Sequence, residues 1–156
     1  DYQLHDKPLP LHRKCPLRIA VRSYPITDML KYYVVRKYKG KKISAGGHFK
    51  EGYMHTAISE LGTYSVALDT VAPSILPLNK HQWKTGNIQF KINDAETGIK
   101  DYKVYIDGEF VLFKFSSKNS KLSCVHPQRI KRGVPHQMEV IITDYCGNKK
   151  IEEYQF

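Results

Sequence analysis

Cysteine is scarce. Cys15, Cys124 and Cys146 are the three in 156 residues, an odd count without C-x-x-C spacing, which excludes a zinc ribbon and a dense disulfide framework. A single bridge between Cys124 and Cys146 stays open, beside the alternative of buried free thiols. No apolar run approaches the ~20 residues that a membrane helix needs, so no transmembrane segment is expected. The chain opens without an initiator methionine or a signal peptide and reads as a processed product or an excised piece. Acidic residues are the minority charge, 15 against 25 lysines and arginines, for a net +10. The excess is +6 before Pro73 and +4 from Pro73 onward, so it is not parked in a tail. Such a balance favours anionic partners, although solubility alone also accounts for diffuse basicity. With 41% hydrophobic and 12% aromatic residues, composition is ample for buried cores and argues against disorder. Eleven tyrosines beside one tryptophan lean towards β structure.

What is present is alternation. Leu17 to Val21, Tyr32 to Tyr38, Tyr53 to Ile58 and Gly62 to Leu68 read as strands, the last with Tyr64, Val66 and Leu68 on one face. Residues 1–16, with Pro8, Pro10 and Pro16, read as a segment extended along an edge or running from a missing upstream part. Ile26 to Lys31 reads as one helical turn capped by Thr27 or Asp28. That gives four or five strands before Ala67-Leu-Asp-Thr-Val-Ala-Pro73, where Asp69 and Thr70 offer side-chain oxygens to the backbone and Pro73 stiffens the connector. This stretch is the expected joint between two modules, 1–72 and 73–156. Beyond it, Ser74 to Leu78 reads as an edge strand, followed by strands in which Ile88, Phe90 and Ile92, then Tyr102, Val104 and Ile106, then Met138, Val140 and Ile142 point inward. Asp107-Gly108 is a hairpin turn. Glu109 to Phe115 is expected as one return strand, and Lys121 to Val125 and Lys149 to Phe156 complete a set of seven. No helix longer than about two turns is expected, and the fold class is all-β: two tandem immunoglobulin-like (fibronectin-III-like) sandwiches, the first smaller or incomplete.

Asp69-Thr-Val-Ala-Pro73, Asp94-Ala-Glu-Thr-Gly-Ile99, the hairpin at Ile106-Asp-Gly108 and Asp144-Tyr-Cys-Gly-Asn148 follow one another in a telling order. The run resembles the immunoglobulin-like tail behind the catalytic domain of lysostaphin-type zinc endopeptidases, the peptidoglycan peptidases of some Gram-negative bacteria. Leu11 to Ile19 and Glu60 to Tyr64 resemble the first of two such tail modules. The resemblance implies a cell-envelope location (periplasmic, outer-membrane-associated or secreted) and a peptidase domain elsewhere. That family's zinc site resembles a His-x-x-x-Asp pair with a later His-x-His. His5, His12, His48, His55, His81, His126 and His136 fit neither spacing, so no catalytic residue and no cofactor carries over, and the chain is not expected to be an enzyme.

Arg36-Lys-Tyr-Lys-Gly-Lys-Lys42 sets five cations in seven residues around a tyrosine. Arg36, Lys37, Lys39, Lys41 and Lys42 are therefore candidate contacts for an anionic polymer; the competing reading is a solvated hairpin whose lysines deter edge pairing. Nucleic acid is the least expected partner, because no DNA- or RNA-binding signature accompanies the charge. Arg129 to Arg132 is a smaller cluster with the same ambiguity. Trp83, in a polar loop, is a candidate exposed aromatic, with burial as its alternative; Tyr105 and Phe110 are further candidates for stacking on sugars. Asp94, Glu96 and Asp144, with Asp69, offer loop oxygens to calcium, against the routine role of aspartate as a turn acceptor. His12 with Cys15 and His126 with Cys124 lack a third partner and read as packing or surface residues. The function expected is a non-catalytic accessory or positioning region of a bacterial envelope protein, contacting peptidoglycan or an envelope protein. The alternative is an adhesin-like or carbohydrate-binding surface module.

Overall fold

The computed structural model describes residues 1–23, 25 and 27–156, and they form two compact units: Asp1–Val71 with Tyr145–Gly147, and Ala72–Asp144 with Asn148–Phe156. Among the described residues every sheet pairing is antiparallel. The longest helical piece is the six-residue 3-10 stretch Lys80–Thr85, so the chain is all-β.

Among the described residues the first unit holds seven strands, more than the sequence suggests: β1 (Tyr2–Gln3), β2 (Leu9–Ala20), β3 (Tyr32–Tyr38), β4 (Lys41–Ser44), β5 (His48–Lys50), β6 (Tyr53–Leu61) and β7 (Thr63–Leu68). They make two sheets, ordered β1-β7-β3-β4 and β2-β6-β5. The proline-bearing N-terminal segment is drawn into β2, which pairs with β6 on both sides of a register shift between Pro10 and Cys15. Between the sheets lies a core of Ile19, Tyr32, Val34, Met54, Ile58 and Tyr64, to which alternate residues of each strand contribute. Asp28 caps the short turn Met29–Lys31 by accepting from the Leu30 N–H; Ile26, assigned to that turn from the sequence, lies outside the described residues.

The second unit holds eight strands: β8 (Ser74–Leu78), β9 (Gln89–Asn93), β10 (Ile99–Ile106), β11 (Glu109–Val111), β12 (Phe113–Ser116), β13 (Lys121–Cys124), β14 (Gln137–Asp144) and β15 (Lys149–Gln155). Their sheets run β8-β9-β13-β12 and β11-β10-β14-β15. Lettered in chain order, these are A-B-E-D and C′-C-F-G, the pairing of an immunoglobulin-type sandwich. The core takes Ile88, Phe90 and Ile92 from one sheet and Met138, Val140 and Ile142 from the other.

The same lettering exposes an asymmetry. In the first unit β2-β6-β5 is B-E-D and β4-β3-β7 is C′-C-F, while β1 lies on F where a G strand lies in the second unit. Tyr64, at the start of β7, donates its hydroxyl to the Glu60 carbonyl at 2.7 Å, the tyrosine corner that marks strand F in this fold. The chain supplies no G strand after β7 because residues 69–73 lead directly into β8.

Two expectations are corrected. Glu109 to Phe115 is not one strand: the chain leaves one sheet at β11 and joins the other at β12, with Leu112 between them. Trp83 is buried, packed edge-on to Tyr154 and tilted on Phe90, with its indole N–H donating to the Leu78 carbonyl at 2.8 Å. A tryptophan so placed cannot touch a polymer. Of the two states left open for Cys124 and Cys146, the structure has free thiols, half-buried and buried.

Candidate functional site

The β3–β4 hairpin closes on Lys39 and Gly40, both at positive φ (48° and 74°), which suits a two-residue turn between twisted strands. Pairing of Arg36 with Ile43 and of Lys37 with Lys42 sets the side chains around the tip. The five candidate cations then separate by what they touch. Arg36 is engaged with Glu60, and Lys37 reaches Asp1 at 2.6 Å. Lys39 places its ammonium 5.3 Å from the centre of the Tyr38 ring. Lys41 and Lys42 are exposed, and among the described residues no carboxylate pairs with either. The run read as one patch is thus a stem of two paired cations and a tip of three, Lys39, Lys41 and Lys42. Alternation alone could not show this, because Glu60 and Asp1 are distant in sequence. In the other basic cluster Ile130 is buried, and Arg129 ends the short turn Pro127–Arg129.

The second unit carries a different surface. Cross-strand pairing aligns Phe110, Tyr105, Glu139 and Glu153 in one row over β11, β10, β14 and β15. Their neighbours Val104, Ile106, Met138 and Val140 fill the core, so the row faces outward. Phe110 is 60% exposed and meets Tyr105 edge-on at 6.0 Å. Tyr105, Glu139 and Glu153 line a groove of about 510 Å³ with Gln137 and Tyr154. Two carboxylates directly opposite each other oppose folding, and an aromatic ring beside them offers a flat apolar face with hydroxyl acceptors next to it. Tyr105 and Phe110 are legible as aromatics; the two glutamates are not, because strands β14 and β15 are distant from both in sequence.

The loop aspartates act as turn acceptors. Asp94 Oδ1 takes the N–H groups of Glu96, Thr97 and Gly98, and Asp144 takes the backbone and side-chain N–H of Asn148. Ligand oxygens of Asp94 and Asp144 lie within 4.8 Å of one another, but their hydrogen bonds within the turns account for both. Burial pushes the Cys124 thiol up, which makes it a poorer nucleophile.

At the foot of β14, His136 lies between Asp107 and the Lys131 carbonyl, each 2.6 Å from a ring nitrogen. Sequence reading passed over this histidine; the hairpin turn at Asp107 was the available signal.

The first unit has a family counterpart. Residues 1–69 match the family model of the Zu5-like domain. The match stops at Asp69, just after β7, and so covers the whole set β1 to β7 and none of the second sandwich. Within the Zu5-like match fall the cationic tip and the strand order with β1 on β7. No curated protein matches the chain.

Proposed function

We propose that this chain is a non-catalytic accessory region that holds a bacterial cell-envelope protein on an anionic polymer, peptidoglycan first, beside a peptidoglycan-cleaving zinc peptidase domain. The observation that carries the contact is the hairpin tip, where Lys39, Lys41 and Lys42 project from a stem whose own cations are neutralised by Glu60 and Asp1. The resemblance of the Asp69–Pro73, Asp94–Ile99 and Asp144–Asn148 segments to peptidase tail modules supports the envelope setting. Sedimentation of the chain with purified peptidoglycan at low and moderate salt tests it. Retention is expected to persist at about 0.15 M salt, where exposed charges more than ~8 Å apart are screened, and to be lost in Lys39→Glu/Lys41→Glu/Lys42→Glu. Retention by that variant equal to the parent would overturn the reading.

The Phe110–Tyr105–Glu139–Glu153 row favours a second reading, a carbohydrate-binding face. Stacking needs an exposed ring, and Phe110 is one. Phe110→Ala is expected to abolish retention of an uncharged glycan on a column while leaving salt-sensitive binding to the hairpin tip intact.

A further inference from the structure

A two-residue turn brings two histidines of the first unit together. Glu51 and Gly52 link β5 to β6 at φ of 51° and 82°, the positive pair that a tight hairpin uses. From that turn the register runs Lys50 with Tyr53, Phe49 with Met54 and His48 with His55. Met54 is buried in the core and Phe49 packs against it, so the two histidines, one position further along, face outward. Directly opposed residues are the closest neighbours that antiparallel strands offer. The imidazole rings lie 5.4 Å apart, centre to centre, and 18° from parallel. In the chain six residues separate them, a spacing without meaning until the turn sets them side by side.

The ring nitrogens of this pair are not otherwise engaged. Both nitrogens of His136 meet acceptors, and Nδ1 of His5 meets the Lys7 carbonyl. Among the described residues no hydrogen bond or ion pair takes the ring of His48 or of His55. Arg18 stands opposite His55, but its guanidinium sits over the Tyr53 ring, 6.0 Å from the centre. Lys50 has the Glu51 carboxylate at 3.8 Å. Two cations of this face are thus held away from the pair. His48 and His55 line a groove of about 710 Å³ with Arg18, Gly47 and Thr56, open enough for an ion that keeps some of its water.

We infer that His48 and His55 together chelate one divalent late transition-metal ion, of the zinc, nickel or copper class, with water in the remaining positions. A neutral imidazole carries one ring lone pair, and imidazole suits these ions, whereas magnesium and calcium demand oxygen ligands. With a metal–nitrogen bond of about 2.0–2.1 Å, two imidazoles on one ion have ring centres roughly 5 Å apart. The hairpin already holds that separation, so turning the rings about χ2, a broad torsion, suffices and the backbone stays in place. The test is titration of the full chain with zinc sulfate at neutral pH, followed by calorimetry and by the histidine ring signals in NMR. One ion per chain is expected, with a Kd at or below about 0.1 mM, and the His48 and His55 signals should move together. His48→Gln and His55→Gln should each weaken binding at least about tenfold. His12→Gln and Cys15→Ser, which alter another exposed histidine and the exposed thiol, should keep the parent's affinity. Should a glutamine variant not fold, the ring signals of the parent chain still decide. Four results would each overturn the inference: no saturable binding at about 1 mM zinc, movement of one ring without the other, unchanged affinity in either glutamine variant, or loss of binding in Cys15→Ser.

Discussion

His136 shows how much one residue can carry. Both of its ring nitrogens face acceptors, the Asp107 carboxylate and the Lys131 carbonyl, and only a doubly protonated ring donates to both. The Lys131 carbonyl first, and then Asp107, hold its pKa above the ordinary 6.5. Asp107 is held below its ordinary 3.8 by that same imidazole and by the Gln137 N–H. The signs set a window. The histidine's contribution is fully present below pH 6.5 and is lost as pH rises through the raised value. The aspartate's contribution is present above 3.8 and is lost as pH falls through the lowered value. Asp107→Asn keeps a residue suited to positive φ and keeps an acceptor for Gln137 while removing the charge. The parent's advantage in Tm over this variant should therefore be greatest between the two ordinary values and shrink on either side. Proton NMR titration of His136 checks the cause; a ring titrating at 6.5 or below in the parent would refute it. Trp83 makes the complementary point about legibility. Its neighbours Lys80, His81, Gln82, Lys84 and Thr85 are polar, so no local pattern marks it as core, and its burial follows from Phe90 and Tyr154, which the fold brings to it.

At the scale of elements, the short turns decide where strands can go. Gly86 ends the turn Lys80–Thr85 at φ +84°, and a Cβ placed there would sit 2.2 Å from the Pro127 carbonyl oxygen. Gly108, at φ +83° in the β10–β11 turn, has nothing within 4 Å of the same position. Both positions burden an alanine with left-handed strain of about 1 kcal/mol, but only Gly86 adds a backbone clash. Gly86→Ala should lower stability by more than about 2 kcal/mol and Gly108→Ala by about 1 kcal/mol, read as shifts in the denaturant midpoint at unchanged m. Equal losses would show that Pro127 does not confine Gly86. Elements with one apolar face were readable in advance: Ile88, Phe90 and Ile92, and Met138, Val140 and Ile142, are buried as their alternation requires. The break at Leu112 was not, because Glu109 to Phe115 is apolar on both faces. The covered face runs unbroken through the change of sheet, so Val111, Phe113 and Phe115 turn to the core while Phe110 and Leu112 are exposed. Likewise β1 has two residues and no period, and only its bonds to β7 reveal it.

For the whole molecule the question is whether +10 acts as a field or through a place. The run 36–42 could be read as basic from its residues, but the pairing of Arg36 and Lys37 required the fold, and it narrows the candidates to Lys39, Lys41 and Lys42. Reversing these three lowers the net charge by six, from +10 to +4. Reversing Lys84, Lys118 and Arg132, all exposed and all in the second unit, gives the same +4. A diffuse field weakens equally in both variants, since at long range only the sum of charges matters and salt screens its detail. A contact at the tip is lost in the first variant alone. Peptidoglycan retention at about 0.15 M salt should accordingly fall to background in Lys39→Glu/Lys41→Glu/Lys42→Glu and stay near the parent's in Lys84→Glu/Lys118→Glu/Arg132→Glu. Equal loss in the two would assign the binding to net charge and remove the hairpin tip from the function of this chain.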